Sequence, residues 1–243
     1  MKTYILSAGL GTRLYPSTHT IPKVMLPIGK KPVLWYQIQL AKFYGIGEIM
    51  INLYKNHKVI TDYFGDGSKF GVRIFYSYEK KLLGTAGAVK IAEKFFDDKT
   101  FFVIYGDTLR NTNLKKLLDF HKKKNGVCTI SLYKTEEPWT QGIVELSQNS
   151  QILSIVEKPK KGTEKSNLSN AGVLICKSKI FDHIQPNSFS DFGENVLPNL
   201  VKSKKVFGLE TDGYIQDIGT PECYQKAKKD FKKGLVKFPF KVD

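Results

Sequence analysis

Residues 4–14 read Tyr-Ile-Leu-Ser-Ala-Gly-Leu-Gly-Thr-Arg-Leu, and Pro22-Lys23 and Pro27 follow. A hydrophobic stretch at 4–6 runs straight into a glycine-rich turn ending in Thr12 and Arg13. Glycines let successive backbone N–H groups converge on phosphate oxygens. Arg13 adds a planar, permanently charged fork, and Lys23 a compact second cation. That combination is a grip for a nucleoside triphosphate. The dinucleotide fingerprint would need a third glycine where Leu14 stands and a helix opening directly after Gly11. The ATPase phosphate loop would need Gly-Lys-Ser/Thr, which does not occur here. A plain strand-to-loop turn would account for Gly9 and Gly11, but not for Arg13 together with Lys23.

Two aspartates are the next candidates. Asp107 follows Gly106 directly after the apolar run 101–105, and ligands of α/β sheets bind beyond the carboxyl ends of strands. It suits a divalent cation, since Mg²⁺ takes one or two carboxylates alongside phosphate and water, and it equally suits a turn or helix cap. Asp217 precedes Gly219-Thr220-Pro221, where threonine then proline also reads as a helix start. A carboxylate on an apolar strand needs a partner, and a metal shared with Asp107 would supply one. Glu157-Lys158, at another strand end, could serve hydroxyls and a phosphate of one small ligand, or be an exposed pair of little energetic weight. The segment 166–172 carries Asn170. His19, His57, His121 and His183 show no ligand spacing.

The elements that must position these groups follow from periodicity. Through the first half, strand-like runs at 4–6, 48–53, 72–76 and 101–105 alternate with helical runs at 33–44, 57–64, 87–96 and 114–124. That alternation predicts a mostly parallel sheet with helices on both faces. The second half changes to short strands at 127–133, 142–146, 152–156 and 171–176, expected as an antiparallel extension. Helices at 192–202 and 221–233 flank a strand pair at 206–210 and 214–218. With 243 residues and 41% hydrophobic content, one α/β domain over 1–243 is expected. The net charge of +15 comes largely from lysine runs such as 122–124, which fit solvated helix faces. Three separated cysteines predict neither zinc nor a disulfide framework. No stretch reaches membrane-spanning length, so a reduced cytoplasm and no membrane partner are expected.

Taken together, the series resembles the nucleotidyltransferases that make nucleotide-activated sugars, the NDP-sugar pyrophosphorylases. The likeness runs through Gly-x-Gly-Thr-Arg-Leu, Pro22-Lys23, Leu83-Gly84-Thr85-Ala86-Gly87, Gly106-Asp107, Gly142 to Glu145, Glu157-Lys158-Pro159, Asn170-Ala171-Gly172 and Asp217 to Pro221. The resemblance implies a three-layer α/β/α sandwich around a mixed, mostly parallel, Rossmann-like sheet. It implies attack of a sugar 1-phosphate on the α-phosphorus of a nucleoside triphosphate, with Mg²⁺ and release of pyrophosphate. Leu6, Ala8, Gly9, Gly11, Thr12 and Arg13 would then meet the nucleotide, with Arg13 on the leaving pyrophosphate. Glu79, Gly84, Thr85 and Ala86 would lie near the base. Lys23 would neutralise charge at the reacting phosphates, and Asp107 and Asp217 would bind Mg²⁺. Gly142, Glu157, Lys158 and Asn170 would line the sugar phosphate pocket.

The departures are Ser7, Val24, Tyr105 and Ile215, none at a charged catalytic position. The run 83–87 is similar to members using GTP with mannose or heptose 1-phosphate. Other features are similar to uridylyl- and cytidylyltransferases, some of which act on non-sugar phosphates, and thymidylyl members also stay open. The left-handed β-helix of longer relatives is expected to be absent, and a homo-oligomer stays open. Two other classes compete: a catalytically silent regulatory homologue and a basic nucleic-acid-binding module. Retention of Arg13, Lys23, Asp107 and Asp217 weighs against the first. Lysines scattered along the chain instead of interleaved with aromatics weigh against the second, so no nucleic acid partner is expected.

Overall fold

The computed structural model describes residues 1–242. From the N-terminus the chain forms β1 (Lys2–Leu6), the short β2 (Pro27–Ile28) and β3 (Lys31–Pro32), α1 (Val33–Phe43), β4 (Glu48–Leu53), α2 (Lys58–Phe64) and β5 (Arg73–Tyr78). Then come α3 (Gly84–Ile91), β6 (Phe101–Tyr105), β7 (Thr108–Arg110), α4 (Leu114–Lys124), β8 (Cys128–Lys134), β9 (Gly142–Leu146) and β10 (Ile152–Glu157). The last elements are β11 (Leu168–Cys176), α5 (Leu197–Val201), β12 (Val206–Glu210), β13 (Ile215–Asp217) and α6 (Pro221–Lys232). These elements form two compact units. The first comprises Met1–Leu82, Ile104–Thr112 and the chain from Gly213 onward; the second comprises Leu83–Val103 and Asn113–Asp212.

In the first unit β1, β4 and β5 are parallel, with Tyr4 opposite Met50 and Met50 opposite Phe75. Thr3, Tyr4 and Ile5 are fully buried, as expected of a parallel strand covered on both faces. Helix α1 is apolar nearly all round, and its residues Val33 to Ile38 are buried. The Tyr36 hydroxyl donates to the Ile28 carbonyl at 2.6 Å, and its ring stacks on Phe238 at 4.9 Å. Gln37 Nε2 donates to the Thr108 carbonyl at 2.6 Å, which ties α1 to β7.

The second unit is mixed. Strand β8 runs antiparallel to β11 and parallel to β12, and β9 pairs antiparallel with both β10 and β11. Phe96, Phe101 and Phe181 stack in its core, with centroids 3.8 and 5.4 Å apart along the series. Helix α4 is capped by Asn113, which accepts from the Lys116 N–H at 2.9 Å, and ends on Asn125 at φ 53°.

Several expected boundaries move. The strands at 206–210 and 214–218 do not pair with each other: β12 joins β8, and β13 joins β7, a strand that periodicity missed because it is only three residues long. The four short strands of the expected antiparallel extension do pair antiparallel with one another, and β12 adds a parallel strand beside β8. Helix α3 begins at Gly84 and ends at Ile91, with a separate 3-10 turn at Glu93–Phe96. The helix expected at 192–202 is a π-turn, Phe192–Val196, leading into α5. Among the described residues no helix is long and apolar enough to cross a membrane.

His121 of α4 is buried, and its Nδ1 pairs with the Thr129 hydroxyl at 2.8 Å. Burial, with Lys177 adding to it, pulls its pKa from the ordinary range down to about 4. The unfolded chain therefore binds a proton near pH 6.5 that the folded chain refuses. Stability is full above that pH and is lost as the pH falls toward 4, by about 3 kcal/mol in all. Urea midpoints measured from pH 8 to 4 should show this slope, and His121→Gln should flatten it.

Candidate functional site

In the first unit, β1 delivers the chain into the loop of residues 7–11. Gly11, at φ 64°, then opens a 3-10 turn, Thr12–Leu14. A side chain at Gly11 would be strained by that φ and would also meet Thr18 and Lys23 at about 3.2 Å. The Thr18 hydroxyl donates to the Gly11 carbonyl at 2.7 Å and pins the loop. Among the described residues, the N–H groups of Ala8, Gly9, Leu10, Gly11 and Thr12 make no backbone hydrogen bond. A run of loop N–H groups without backbone partners is suited to an anion. The loop with Tyr15, His19 and residues 54–56 walls a cleft.

Lys23 stands on the 3-10 turn Lys23–Met25, whose Val24 and Met25 are buried and fix it in place. Its ammonium pairs with Asp107 Oδ2 and passes just behind Gly9, where an added Cβ would lie 3.9–4.0 Å from Cε and Nζ. Asp107 sits in the turn between β6 and β7. Gly106 before it donates to the Leu6 carbonyl at 2.9 Å, so the turn is stitched to the end of β1. Burial works against the charged carboxylate of Asp107, but Lys23 and Arg110 more than offset it and hold its pKa below the usual range. Arg110, fully buried, was missed at the sequence level; its guanidinium donates to the Tyr105 carbonyl at 3.0 Å. A basic residue three positions after Asp107 was the available signal.

Asp217 ends β13 opposite Thr108, and the Ile218 N–H donates to the Asp107 carbonyl at 3.0 Å. The β7–β13 ribbon therefore brings the backbones of the two aspartates together. Asp217 Oδ1 accepts from the Gly219 N–H at 2.8 Å. An added Cβ on Gly219 would lie 2.8 Å from that oxygen and 3.2 Å from an Arg13 nitrogen, so Arg13 and Asp217 share this corner. Arg13, Lys23, Asp107 and Asp217 thus come together in one unit. Among the described residues no three Asp, Glu, His or Cys side chains gather into a metal cage. Two adjacent carboxylates fit Mg²⁺ all the same, because that ion completes its shell from substrate phosphates and water.

Glu79, expected near a base, is buried and accepts from the Asn52 amide at 2.7 Å; Asn52 in turn accepts the Ser7 N–H at 2.6 Å. Leu6 is the last residue of β1, half-buried.

The second unit assembles a separate cluster. Gly142 and Glu157 are register partners, and an added Cβ on Gly142 would lie 2.6 Å from Glu157 Oε2. Ser169 faces Ile143, so Asn170 and Gly142 are neighbours one step along the same ladder and share a face. Lys158, at φ 44°, donates its N–H to the Gln141 carbonyl at 3.0 Å. The Thr85 hydroxyl donates to Asp191 at 2.8 Å, and Ala86 N–H donates to the Ser190 carbonyl at 2.9 Å. Gly84 has room only for hydrogen there, since a Cβ would approach the Ser190 carbonyl to 2.5 Å. Asp191, another residue the sequence did not single out, also raises the Glu157 pKa along with Glu194, after burial and against the pull of Lys158.

A family model described as nucleotidyl transferase matches residues 2–234. Over 93% of its length the chain is 37% identical to a UTP–glucose-1-phosphate uridylyltransferase of Synechocystis, covering 62% of that protein. It is 34% identical to a mannose-1-phosphate guanyltransferase of Yarrowia lipolytica, over 92% of this chain and 62% of that one. The chain thus spans about three-fifths of the length of these curated relatives. Among solved structures, HddC of Yersinia pseudotuberculosis superposes with a TM-score of 0.81 at 30% identity, covering 95% of this chain and 99% of that one.

One substitution tests the stitched turn. Gly106→Ala would place a Cβ 2.7 Å from the Leu6 carbonyl, whereas a Cβ on Gly47 would meet nothing within 4 Å. Urea denaturation should show a loss of about 1–3 kcal/mol for the first and a change within about 0.5 kcal/mol for the second.

Proposed function

The chain belongs to the nucleotidyl transferase family, and on that premise we propose that it joins a nucleoside triphosphate to a sugar 1-phosphate, giving an NDP-sugar and pyrophosphate. The observation that carries this reading is the convergence, in one unit, of the unpaired N–H run of the glycine loop with Lys23, Arg13, Asp107 and Asp217.

A sugar phosphate is already ionised at neutral pH, so its oxygen needs no base to attack. The obstacle is repulsion between two anions, removed by cations and in-line placement. The loop N–H groups would hold the triphosphate. Lys23 would offset charge at the attacking and α-phosphates, and Arg13 would stabilise the departing pyrophosphate. Asp107 and Asp217 would hold Mg²⁺, which when bound neutralises the charge that builds on the phosphate oxygens. Gly142, Glu157, Lys158 and Asn170 would receive the sugar phosphate, and the turn at Gly84–Ala86 would lie by the base.

For the substrates, GTP with mannose or heptose 1-phosphate comes first. The run 83–87 supports it, as do the mannose-1-phosphate guanyltransferase relative and a structure of HddC complexed with GMP-PN. A second reading, UTP with glucose 1-phosphate, is favoured by the Synechocystis relative at 37% identity.

Pyrophosphate release, measured with five nucleoside triphosphates crossed against hexose, heptose and amino-sugar 1-phosphates, should single out one strong pair. Silence across the panel, with nucleotide binding retained, would favour a regulatory homologue. With the active pair, Asp107→Asn and Asp217→Asn should each lower kcat by about 10²-fold or more. Asp217→Asn should leave the urea midpoint nearly unchanged, whereas Asp107→Asn takes the carboxylate from Lys23 and buried Arg110 and should lower it. Rates equal to the parent protein would remove the metal role. Arg13→Ala should depress both reaction directions through pyrophosphate handling; an effect confined to sugar KM would contradict its role.

A further inference from the structure

Beneath the glycine loop lies a buried relay whose middle residue, Asn52, has no part in the reading above. The Ser7 N–H donates to Asn52 Oδ1 at 2.6 Å, and Asn52 Nδ2 donates to Glu79 Oε1 at 2.7 Å. All three residues are buried, with Asn52 at 3% and Glu79 at 2% exposure. Ser7 is the residue at which β1 gives way to the loop, and it forms part of the wall of the cleft beside Ala8, Gly9 and Leu10. The neighbouring strand β4 would ordinarily continue its ladder with β1 by backbone bonds. Here the last residue of contact is taken over by a side chain, which leaves the following N–H groups without strand partners.

An amide has one accepting and one donating end, and the two ends of Asn52 meet partners that demand opposite roles. Ser7 offers an N–H and needs an acceptor; the carboxylate of Glu79 needs a donor. Glu79 therefore fixes which way the amide faces. Hydrogen bonds of this kind are worth most where both partners are buried, because a freed donor or acceptor finds no water to replace the partner.

We propose that Asn52 is a positioning residue for nucleotide binding: oriented by Glu79, it anchors Ser7 so that the N–H groups of residues 8–12 stay aimed at the triphosphate. The proposal rests on the nucleotidyl-transfer reading above and adds to it a residue that acts through the loop backbone. Its reach is confined to the first unit. The relay should govern triphosphate affinity and leave the acceptor cluster around Gly142 and Glu157 untouched.

The test compares Asn52→Leu and Asn52→Asp with the parent protein, using the active substrate pair. The readouts are triphosphate Kd by calorimetry, KM for each substrate, the thermal midpoint, and hydrogen exchange at the Ser7 amide. Asn52→Leu should raise triphosphate Kd and KM at least tenfold, change acceptor KM less than twofold, and expose the Ser7 amide to exchange. Asn52→Asp keeps an acceptor for Ser7. Two carboxyls at hydrogen-bond distance cannot both ionise, so the retained proton preserves the link to Glu79, and triphosphate affinity should stay within threefold. A folded Asn52→Leu that binds triphosphate like the parent overturns the proposal. So does a parallel loss of affinity for both substrates, which marks a general structural role. If Asn52→Leu does not fold, Asn52→Asp decides alone: retained affinity with a protected Ser7 amide upholds the anchor, and a tenfold loss overturns it. A parent protein that neither binds nucleotide nor releases pyrophosphate would instead defeat the functional reading itself.

Discussion

Lys23 meets Asp107 from a three-residue turn whose own apolar side chains are buried, while Arg110 lies fully buried close to the same carboxylate. Burial draws the Arg110 pKa down to about 10, and the charge of Asp107 pushes back, so it remains a cation at neutral pH. Asp217 reaches the same corner through the β7–β13 ribbon, where the Ile218 N–H donates to the Asp107 carbonyl. The remaining features of the first unit follow from this arrangement. The ribbon must be rigid, which Gln37 achieves by bonding the Thr108 carbonyl from α1, and the turn must lie close against β1, which Gly106 permits.

The residues of the proposed site are divided between the two compact units. Those proposed to meet phosphate belong to the first, where parallel strands end together and leave loop N–H groups without backbone partners. Those proposed to receive the acceptor belong to the second, where an antiparallel ladder puts Gly142, Glu157 and Asn170 on one face. Each cluster is supported by packing within its own unit. An example is the Thr85–Asp191 bond, which fastens the start of α3 to the π-turn at Phe192–Val196. Glycines matter here mainly through space. At Gly84 and Gly142 a carbonyl or carboxylate oxygen occupies the position a Cβ would take.

Family membership, the parallel first half and the principal charged residues were all legible from residue type and spacing. A glycine turn after an apolar strand, followed by arginine and a Pro-Lys step, dictates backbone donors and two cations whatever else the chain does. Periodicity likewise sufficed for α1, α4, β4 and β6, because long runs average over local exceptions. It failed where the deciding interaction lies far along the chain. The strand β7 is three residues long and exists because β13, a hundred residues later, pairs with it. The runs that became β12 and β13 looked like partners, but the ladder of each was completed elsewhere.

The same distinction applies at the site. The sequence determined which groups carry charge and which positions can lack a side chain, since those are properties of single residues. Only the tertiary structure decided that Lys23 rests on Asp107, that Arg110 is buried near it, and that Glu79 holds an amide beneath the loop. The Asn52–Glu79 and Lys23–Asp107 contacts join positions 27 and 84 residues apart in sequence. A buried polar group takes whatever partner packing brings within reach, and spacing along the chain does not encode that choice.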